Sequence, residues 1–406
     1  MGEWLRPLEG LVVAPPAVAT PSRPKSVAGA SYPDATFAGS LDVDPTDWKG
    51  KRVFLTGHTG FKGSWFSLWL QSLGAVVRGY SLDAPTTPSL FKAAEVGGGM
   101  ESVIADVRDA ARLRAEMTEF RPEVVFHLAA QSLVRYSYAN PLETYAVNVM
   151  GTANLLDAVR FCDSVRAVVI ITTDKCYENK EWLWPYRESD RLGGHDPYSN
   201  SKACAELVTS AFRSSYFPPQ RYAEHGLAIA TARAGNVIGG GDWAADRLIS
   251  DMMRAFTAGV PVRIRNPKSV RPWQHVLEPL RGYLMLATAL REHGASYGSE
   301  WNFGPRDLDA RPVIEIVEGM AQRWNDGCDG GAASFEVDGA THVHEAAQLR
   351  LDWSKAASEL QWQPLLKIDD ALDLTMQWYA AWRSGENVKP FTLAQIAQYA
   401  RQAVAR

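Results

Sequence analysis

Two residues four apart, Tyr198 and Lys202, are the first pair in this sequence that could move a proton. On a helix that spacing puts both side chains on one face. A free phenol titrates near pH 10 and is a poor base at neutrality. A cation one turn away favours the phenolate, which would make Tyr198 an acid–base group for a hydroxyl. Taken alone, the pair is better explained by an amphipathic surface helix; behind a dinucleotide-binding loop the balance reverses. A second set is Thr172-Thr173-Asp174-Lys175. Thr173 can hydrogen-bond a substrate hydroxyl. Asp174 and Lys175 are an adjacent carboxylate and ammonium, and such a pair can move one proton at each end of an elimination. A turn carrying a solvated ion pair is the alternative. The third set is Gly57-His58-Thr59-Gly60-Phe61-Lys62-Gly63, with glycines spaced GxxGxxG rather than GxGxxG.

These groups need elements to hold them. Lys51 to Thr56 reads as a short apolar strand, and Ser64 to Leu73 as a helix, so the glycines lie between strand and helix. The first glycine allows a tight turn. The others let backbone approach a pyrophosphate and let helix pack on strand. The free N–H groups of a helix N-terminus favour an anion there. Ala75 to Leu82 is a second strand ending in Asp83, 20 residues after Gly63. A carboxylate at that place accepts from a ribose diol and repels a 2′-phosphate, favouring NAD over NADP. A glycine-rich structural turn is the bland alternative. With NAD bound, its positively charged nicotinamide would add to Lys202 in favouring the Tyr198 phenolate.

Further strands are expected at 123–128, 167–171 and 227–232, and helices at 112–120, 141–162 and 198–215. Strands alternating with helices predict an α/β fold, a doubly wound parallel sheet of Rossmann type. Thr173 to Lys175 follow the fourth of these strands, at the carboxyl end where such sheets bind ligands. Beyond Gly235 the pattern turns irregular, and this half is expected to form a smaller mixed α/β substrate domain. The boundaries read as 1–48 leader, 49–235 NAD-binding domain and 236–406 mainly substrate domain, with segments interleaved back to the first.

The leader holds seven of the 23 prolines and no sustained apolar period. Such a segment cannot bury enough surface to offset its ordering entropy, so a flexible extension is expected rather than a cleaved targeting peptide. With 42 basic and 46 acidic side chains the net charge is −4, which argues against nucleic-acid binding. Apolar and charged fractions of 46% and 22% are ordinary for a globular protein. No membrane span is expected. Fourteen tryptophans suggest large buried aromatic area. The four cysteines, Cys162, Cys176, Cys204 and Cys328, form no CxxC. Reduced thiols, a cytoplasmic setting and no metal site are expected.

The glycine-loop string through Trp65 closely resembles that of CDP-glucose 4,6-dehydratases, extended members of the short-chain dehydrogenase/reductase superfamily. The resemblance continues through His127-Leu128-Ala129-Ala130-Gln131, Asn148-Val149-Met150-Gly151-Thr152, Thr173 to Tyr177, and Asp196 to Lys202. It also covers Gly235 to Trp243 and Arg271-Pro272-Trp273-Gln274-His275-Val276, spanning about residues 46–382. It implies conversion of CDP-D-glucose to CDP-4-dehydro-6-deoxy-D-glucose with a tightly held NAD. Tyr198 and Lys202 would serve oxidation at C4, with Lys202 lowering the Tyr198 pKa and Thr173 holding the 4-oxygen. Asp174 would be the acid for the departing 6-hydroxyl and Lys175 the C5 base.

The cofactor would meet Gly57, Thr59, Gly60, Phe61, Gly63, Asp83, Leu128, Ala129, Ala130, Asn148, Thr172, Tyr198 and Lys202, with Lys202 orienting its ribose and Asp106 and Val107 beside the adenine. The sugar nucleotide would meet Gln131, Asn236, Arg247, Arg263, Arg271 and Asn302. Arg263 and Arg265 alternate along an extended run, so one of them is expected to face inward. A lysine beside the aspartate favours the CDP branch, since similar dTDP-glucose dehydratases carry Asp-Glu there. A homodimer, or a tetramer, through helices 141–162 and 198–215 is implied, as is a place in deoxysugar supply for O-antigen lipopolysaccharide. A sugar-nucleotide epimerase or reductase and a non-catalytic NAD-binding scaffold remain as alternatives.

Overall fold

Seven runs of chain form one parallel sheet. They are β1 (Arg52–Thr56), β2 (Val76–Ser81), β3 (Glu101–Ile104), β4 (Val124–His127), β5 (Ala167–Ile171), β6 (Ala228–Ala234) and β7 (Glu300–Phe303). The structure, a computed structural model, describes residues 42–327, 332–338 and 348–404. Strand order is β7-β6-β5-β4-β1-β2-β3, with every neighbouring pair parallel. The chain order reverses between β1 and β4, which opens a crevice at the carboxyl ends of those strands. Residues alternate between two cores. Val53, Leu55, Val124, Phe126 and Val169 point into one. Phe54, Val125, Val168 and Ile170 point into the other. Both faces are covered, so β4, β5 and β6 are buried along their whole length.

Helices α1 (Phe61–Ser72), α2 (Ala110–Phe120), α3 (Gly151–Val159), α4 (Pro197–Ser215), α5 (Leu277–His293), α6 (Ile368–Arg383) and α7 (Val388–Val404) surround the sheet. The first core takes Trp65 and Trp69 of α1 and Leu280 and Leu284 of α5. The second takes Leu113 and Met117 of α2 and Leu155 and Leu156 of α3. Seven tryptophans are under 2% exposed, which accounts for half of the 14 as buried aromatic area. Among the described residues no helix is long and apolar enough to cross a membrane.

Several expectations change. The helix expected at 141–162 runs from Pro141 through a π-helical turn at Ala146–Met150 to Val159. Strand β3 is mostly exposed at the sheet edge, so no apolar alternation marks it. Strand β7 comes from the second half of the chain and extends the sheet beside β6. Helix α5 is buried on nearly every side, because it lies beneath the sheet.

Part of the expected leader is folded. Residues 1–41 lie outside the described set, but 42–48 pack on the core. Trp48 is fully buried and stacks on Phe126, ring centroids 6.1 Å apart. The Arg281 Nε donates to an Asp42 carboxylate oxygen at 3.0 Å. The indole supplies the apolar area that the surrounding Pro, Ala, Ser and Thr residues lack. Trp48→Ala should therefore cost about 3–5 kcal/mol of stability. Chemical denaturation would check this, and a loss below about 1 kcal/mol would mean the segment is not part of the core.

Candidate active site

A cavity of about 1270 Å³ opens at the carboxyl ends of β1, β4 and β5. Its floor begins at the glycine loop. Gly57 has φ +77°, a backbone that favours glycine, and an added Cβ would lie 2.7 Å from the Ala129 nitrogen. A Cβ on Gly63 would lie 2.0 Å from the Gly57 carbonyl oxygen. Gly60 differs, because its φ is −77° and its Cβ direction meets nothing closer than 3.4 Å. It caps α1 without a side-chain hydrogen bond, leaving the first N–H groups turned to the cavity end. The Thr59 hydroxyl donates to Leu82 O at 2.8 Å and pins the loop to the end of β2. Asp83 stands just beyond, on the rim and largely exposed. Ala129, Ala130, Asp106 and Val107 continue the lining. Asp106 pairs with Arg108, which holds its carboxyl below the usual range.

This cradle fits a dinucleotide diphosphate. Side chains at Gly57 and Gly63 would collide with backbone and force the loop apart, uncapped helix N–H groups face the cradle, and a carboxylate stands at the ribose end.

The wall opposite is built by α4 and the turn after β5. Asp196 caps α4 through the Ser199 N–H at 2.9 Å, with Pro197 in its first turn. That places Tyr198 and Lys202 on the cavity side. The Lys202 ammonium donates to Ile171 O at 3.1 Å. Burial pushes Lys202 down to about 8, while Glu206 acts in the opposite direction. Burial pushes Tyr198 up to about 12, against a hydrogen bond with Thr173 that favours its ionised form. In the protein alone the net shift of Tyr198 is therefore upward, whatever Lys202 contributes. Desolvation of the phenolate outweighs the nearby cations.

The Thr173 hydroxyl donates to Asp174 Oδ1 at 2.8 Å, and the Lys175 ammonium lies 3.7 Å from the same oxygen. Asp174 is fully buried, and its Oδ2 has no hydrogen-bond partner among the described residues. A solvated turn would not bury a carboxylate in this way. Thr172, Thr173 and Lys175 line the cavity.

The substrate half divides. Gln131, Asn236, Arg247 and Arg271 line the cavity. Asn236 Oδ1 is buried without a partner. The Arg247 guanidinium donates to Asp242 at 2.9 Å and to Ser132 at 2.7 Å. Arg271 is 7% exposed. Asn302 does not reach the cavity. Its amide donates to Tyr186 O and Asp352 O and its oxygen accepts from the Tyr177 hydroxyl, so it is a brace behind the wall. Asn148 is also a brace. It donates to Gln131 O and Ser201 Oγ and accepts from the Gln131 N–H.

The argument that one of Arg263 and Arg265 faces inward also fails. Residues two apart on an extended run share a face, and both stand on the cavity rim. Arg263 is mostly exposed and pairs with Glu336 at 2.8 Å. Arg265 is the more enclosed and pairs with Asp246 at 2.7 Å.

Lys62 and Trp243 were not assigned a role from sequence. Lys62 lies within the glycine motif, where attention goes to the glycines. It lines the cavity, and burial pushes it down to about 7, with Arg247 and Lys202 adding repulsion. Trp243 lines the cavity with its indole N–H buried and without a partner.

A model of the GDP-mannose 4,6 dehydratase family matches residues 54–375. The CDP-glucose 4,6-dehydratase of Salmonella typhimurium is 54% identical over 357 residues, covering 88% of this chain and 98% of that protein. The dTDP-glucose 4,6-dehydratase of Xanthomonas campestris is 26% identical over 341 residues, covering 80% and 92%. Among solved structures, a dTDP-glucose 4,6-dehydratase from Streptomyces venezuelae with NAD bound superposes with a TM-score of 0.66. It has 24% identity and covers 82% of this chain and 98% of that one. An epimerase from Methanothermobacter thermautotrophicus gives a TM-score of 0.70 at 23% identity, covering 84% and 95%.

Proposed function

The chain belongs to the GDP-mannose 4,6-dehydratase family, and from that membership we infer that it converts CDP-D-glucose to CDP-4-dehydro-6-deoxy-D-glucose and water. One observation carries this reading: Thr173 and Lys175 line one cavity with Tyr198, Lys202 and the glycine loop, and Asp174 is buried directly behind them, 3.7 Å from the Lys175 ammonium. An epimerase needs the second set alone, because it eliminates nothing.

Bound NAD would supply temporary storage of one hydride, which makes the overall conversion redox-neutral. The chain's residues do the rest. The uncapped N-terminus of α1, with Gly57 and Gly63, holds the cofactor diphosphate, and Asp83 accepts from its ribose. Arg247 and Arg271 hold the nucleotide diphosphate, because guanidinium groups bond in forked pairs and keep their charge. Tyr198 takes the proton of the 4-hydroxyl while Thr173 holds that oxygen. The 4-ketone makes the C5 hydrogen acidic. Lys175 takes it, Asp174 gives a proton to the departing 6-hydroxyl, and Lys175 returns its proton to C5 when C6 is reduced. A buried carboxyl with one unpartnered oxygen suits that donation. The group that gains a proton and the group that gives one are adjacent, 3.7 Å apart.

Incubation with CDP-, dTDP-, UDP- and GDP-glucose tests the assignment. A 4-keto-6-deoxy product is expected from the CDP sugar, and no turnover of it would sink the reading. Asp83→Ala should raise the use of NADP relative to NAD by removing the carboxylate that repels a 2′-phosphate. An unchanged preference would show that Asp83 does not meet the ribose.

Two copies pair through the helices at 141–159 and 197–215. Leu142, Met150 and Leu207 on those helices are more than half exposed, and a partner would bury them. Light scattering tests the dimer. Described Cys162, Cys176 and Cys204 are free thiols, which suits the reducing cytoplasm. Cys328 lies outside the described residues. The product would feed deoxysugar synthesis, including O-antigen lipopolysaccharide.

A further inference from the structure

The reactive turn after β5 has little internal support. Within it are only short-range contacts: Thr173 bonds its neighbour Asp174, the Lys175 N–H reaches Thr173 Oγ1 at 3.3 Å, the Cys176 N–H reaches Thr173 O at 3.2 Å, and Lys175 pairs with Asp174. Its two flanks are tied to one buried ion pair. Glu206, two turns beyond Tyr198 on α4, pairs with Arg233 at the end of β6, and both side chains are 1% exposed. The Glu206 carboxylate is fully occupied. It accepts from Arg233 Nε at 2.9 Å and Nη2 at 2.8 Å, from Thr231 Oγ1 at 2.7 Å, and from the Thr172 hydroxyl. Thr172 immediately precedes the turn. Arg233 Nη1 donates to the Tyr177 hydroxyl at 2.8 Å, and that hydroxyl donates to Asn302 Oδ1 at 2.8 Å. Tyr177 immediately follows the turn, and its ring stacks on Tyr186 with centroids 5.1 Å apart.

A buried ion pair adds little stability over packed apolar residues. This one instead joins three elements of the reaction at fixed distances. We infer that Glu206, Arg233 and Tyr177 are positioning residues that lock the Thr173–Lys175 turn to the helix carrying Tyr198 and Lys202. Oxidation at C4 relies on Tyr198 on the helix, with one hydrogen bond from Thr173, whereas elimination at C5 and C6 relies on both proton-moving groups of the turn, Asp174 and Lys175. Loosening the lock lets the turn drift against a sugar still held by the helix side. The second step suffers far more than the first. The inference rests on the proposed roles of those five residues.

Tyr177→Phe is the first test, since it removes one hydroxyl and keeps the stacked ring. In a single turnover with CDP-glucose, the absorbance of reduced nicotinamide should rise at nearly the wild-type rate. Its decay into 4-keto-6-deoxy product should slow by about tenfold to a hundredfold. Amide hydrogen exchange at residues 173–177 should quicken with α4 unchanged. A second variant, Glu206→Gln with Arg233→Met, removes both charges together and should show the same partition more strongly. If that double variant does not fold, Tyr177→Phe decides alone. Equal slowing of both phases, or wild-type behaviour of both, would overturn the inference. If Tyr198→Phe still oxidises C4 at full rate, the reading of the site fails, which is a different outcome.

Discussion

Asp174→Asn should keep oxidation at C4 and slow the loss of water by about 10²–10⁴-fold, the usual worth of a positioned acid. The substitution preserves shape and keeps an oxygen that can accept from the Thr173 hydroxyl, now at 2.8 Å. It removes the ability to carry a proton between a protein oxygen and the 6-hydroxyl. Asp174 is fully buried with Oδ2 unpartnered, so solvent cannot take over the donation. Lys175 itself is untouched, 3.7 Å away, so C5 proton removal should be less affected than water loss. The expected record is reduced nicotinamide that forms and persists, with slow appearance of deoxysugar. A variant that loses C4 oxidation but still eliminates would reverse the assignment of the two residue sets.

How much of this was legible in sequence depends on where each residue gets its constraint. Local constraints read well. The glycine loop, Pro197 with the Asp196 cap, and the β1, β4, β5 and β6 runs follow from turn chemistry, capping and apolar content. Non-local constraints read poorly. Strand β7 is fixed by pairing with β6 some 70 residues earlier in the chain, as Glu300 pairs with Thr231. Asn148 sits in a motif string and Asn302 among the expected sugar-nucleotide contacts, yet their amides are spent on bracing backbone. A motif marks that a residue is needed without saying whether it faces ligand or protein. Arg263 and Arg265 were misjudged for a plainer reason, since an i, i+2 pair shares a face on an extended run. Lys62 needed the folded cavity, because its environment is made by Arg247, Lys202, Asp174 and Lys175 from distant parts of the chain.

Tyr198→Phe should lower turnover by about 10²–10⁴-fold at every pH, because no other group replaces the phenol at the 4-hydroxyl. The direction of the pH dependence follows from the two shifts. Tyr198 is pushed up to about 12, so at neutral pH the phenol keeps its proton and the base form is scarce. Raising the pH increases that form, and the rate of C4 oxidation should climb with it. Lys202 is pushed down to about 8, so its ammonium is lost as the pH rises through that value. Losing a cation from the site disfavours the phenolate, so the climb should flatten above about pH 8. Bound NAD adds a positive ring and shifts the whole profile toward lower pH without changing its order. Lys202→Met should be slower throughout and lack the break near pH 8. Tyr198→Phe should show a flat profile for whatever oxidation remains. The profiles of kcat/KM for the three proteins with CDP-glucose provide the check. If the Phe variant keeps the wild-type climb, the titrating base is a different group, and Lys62, pushed down to about 7 in the same cavity, becomes the first to substitute.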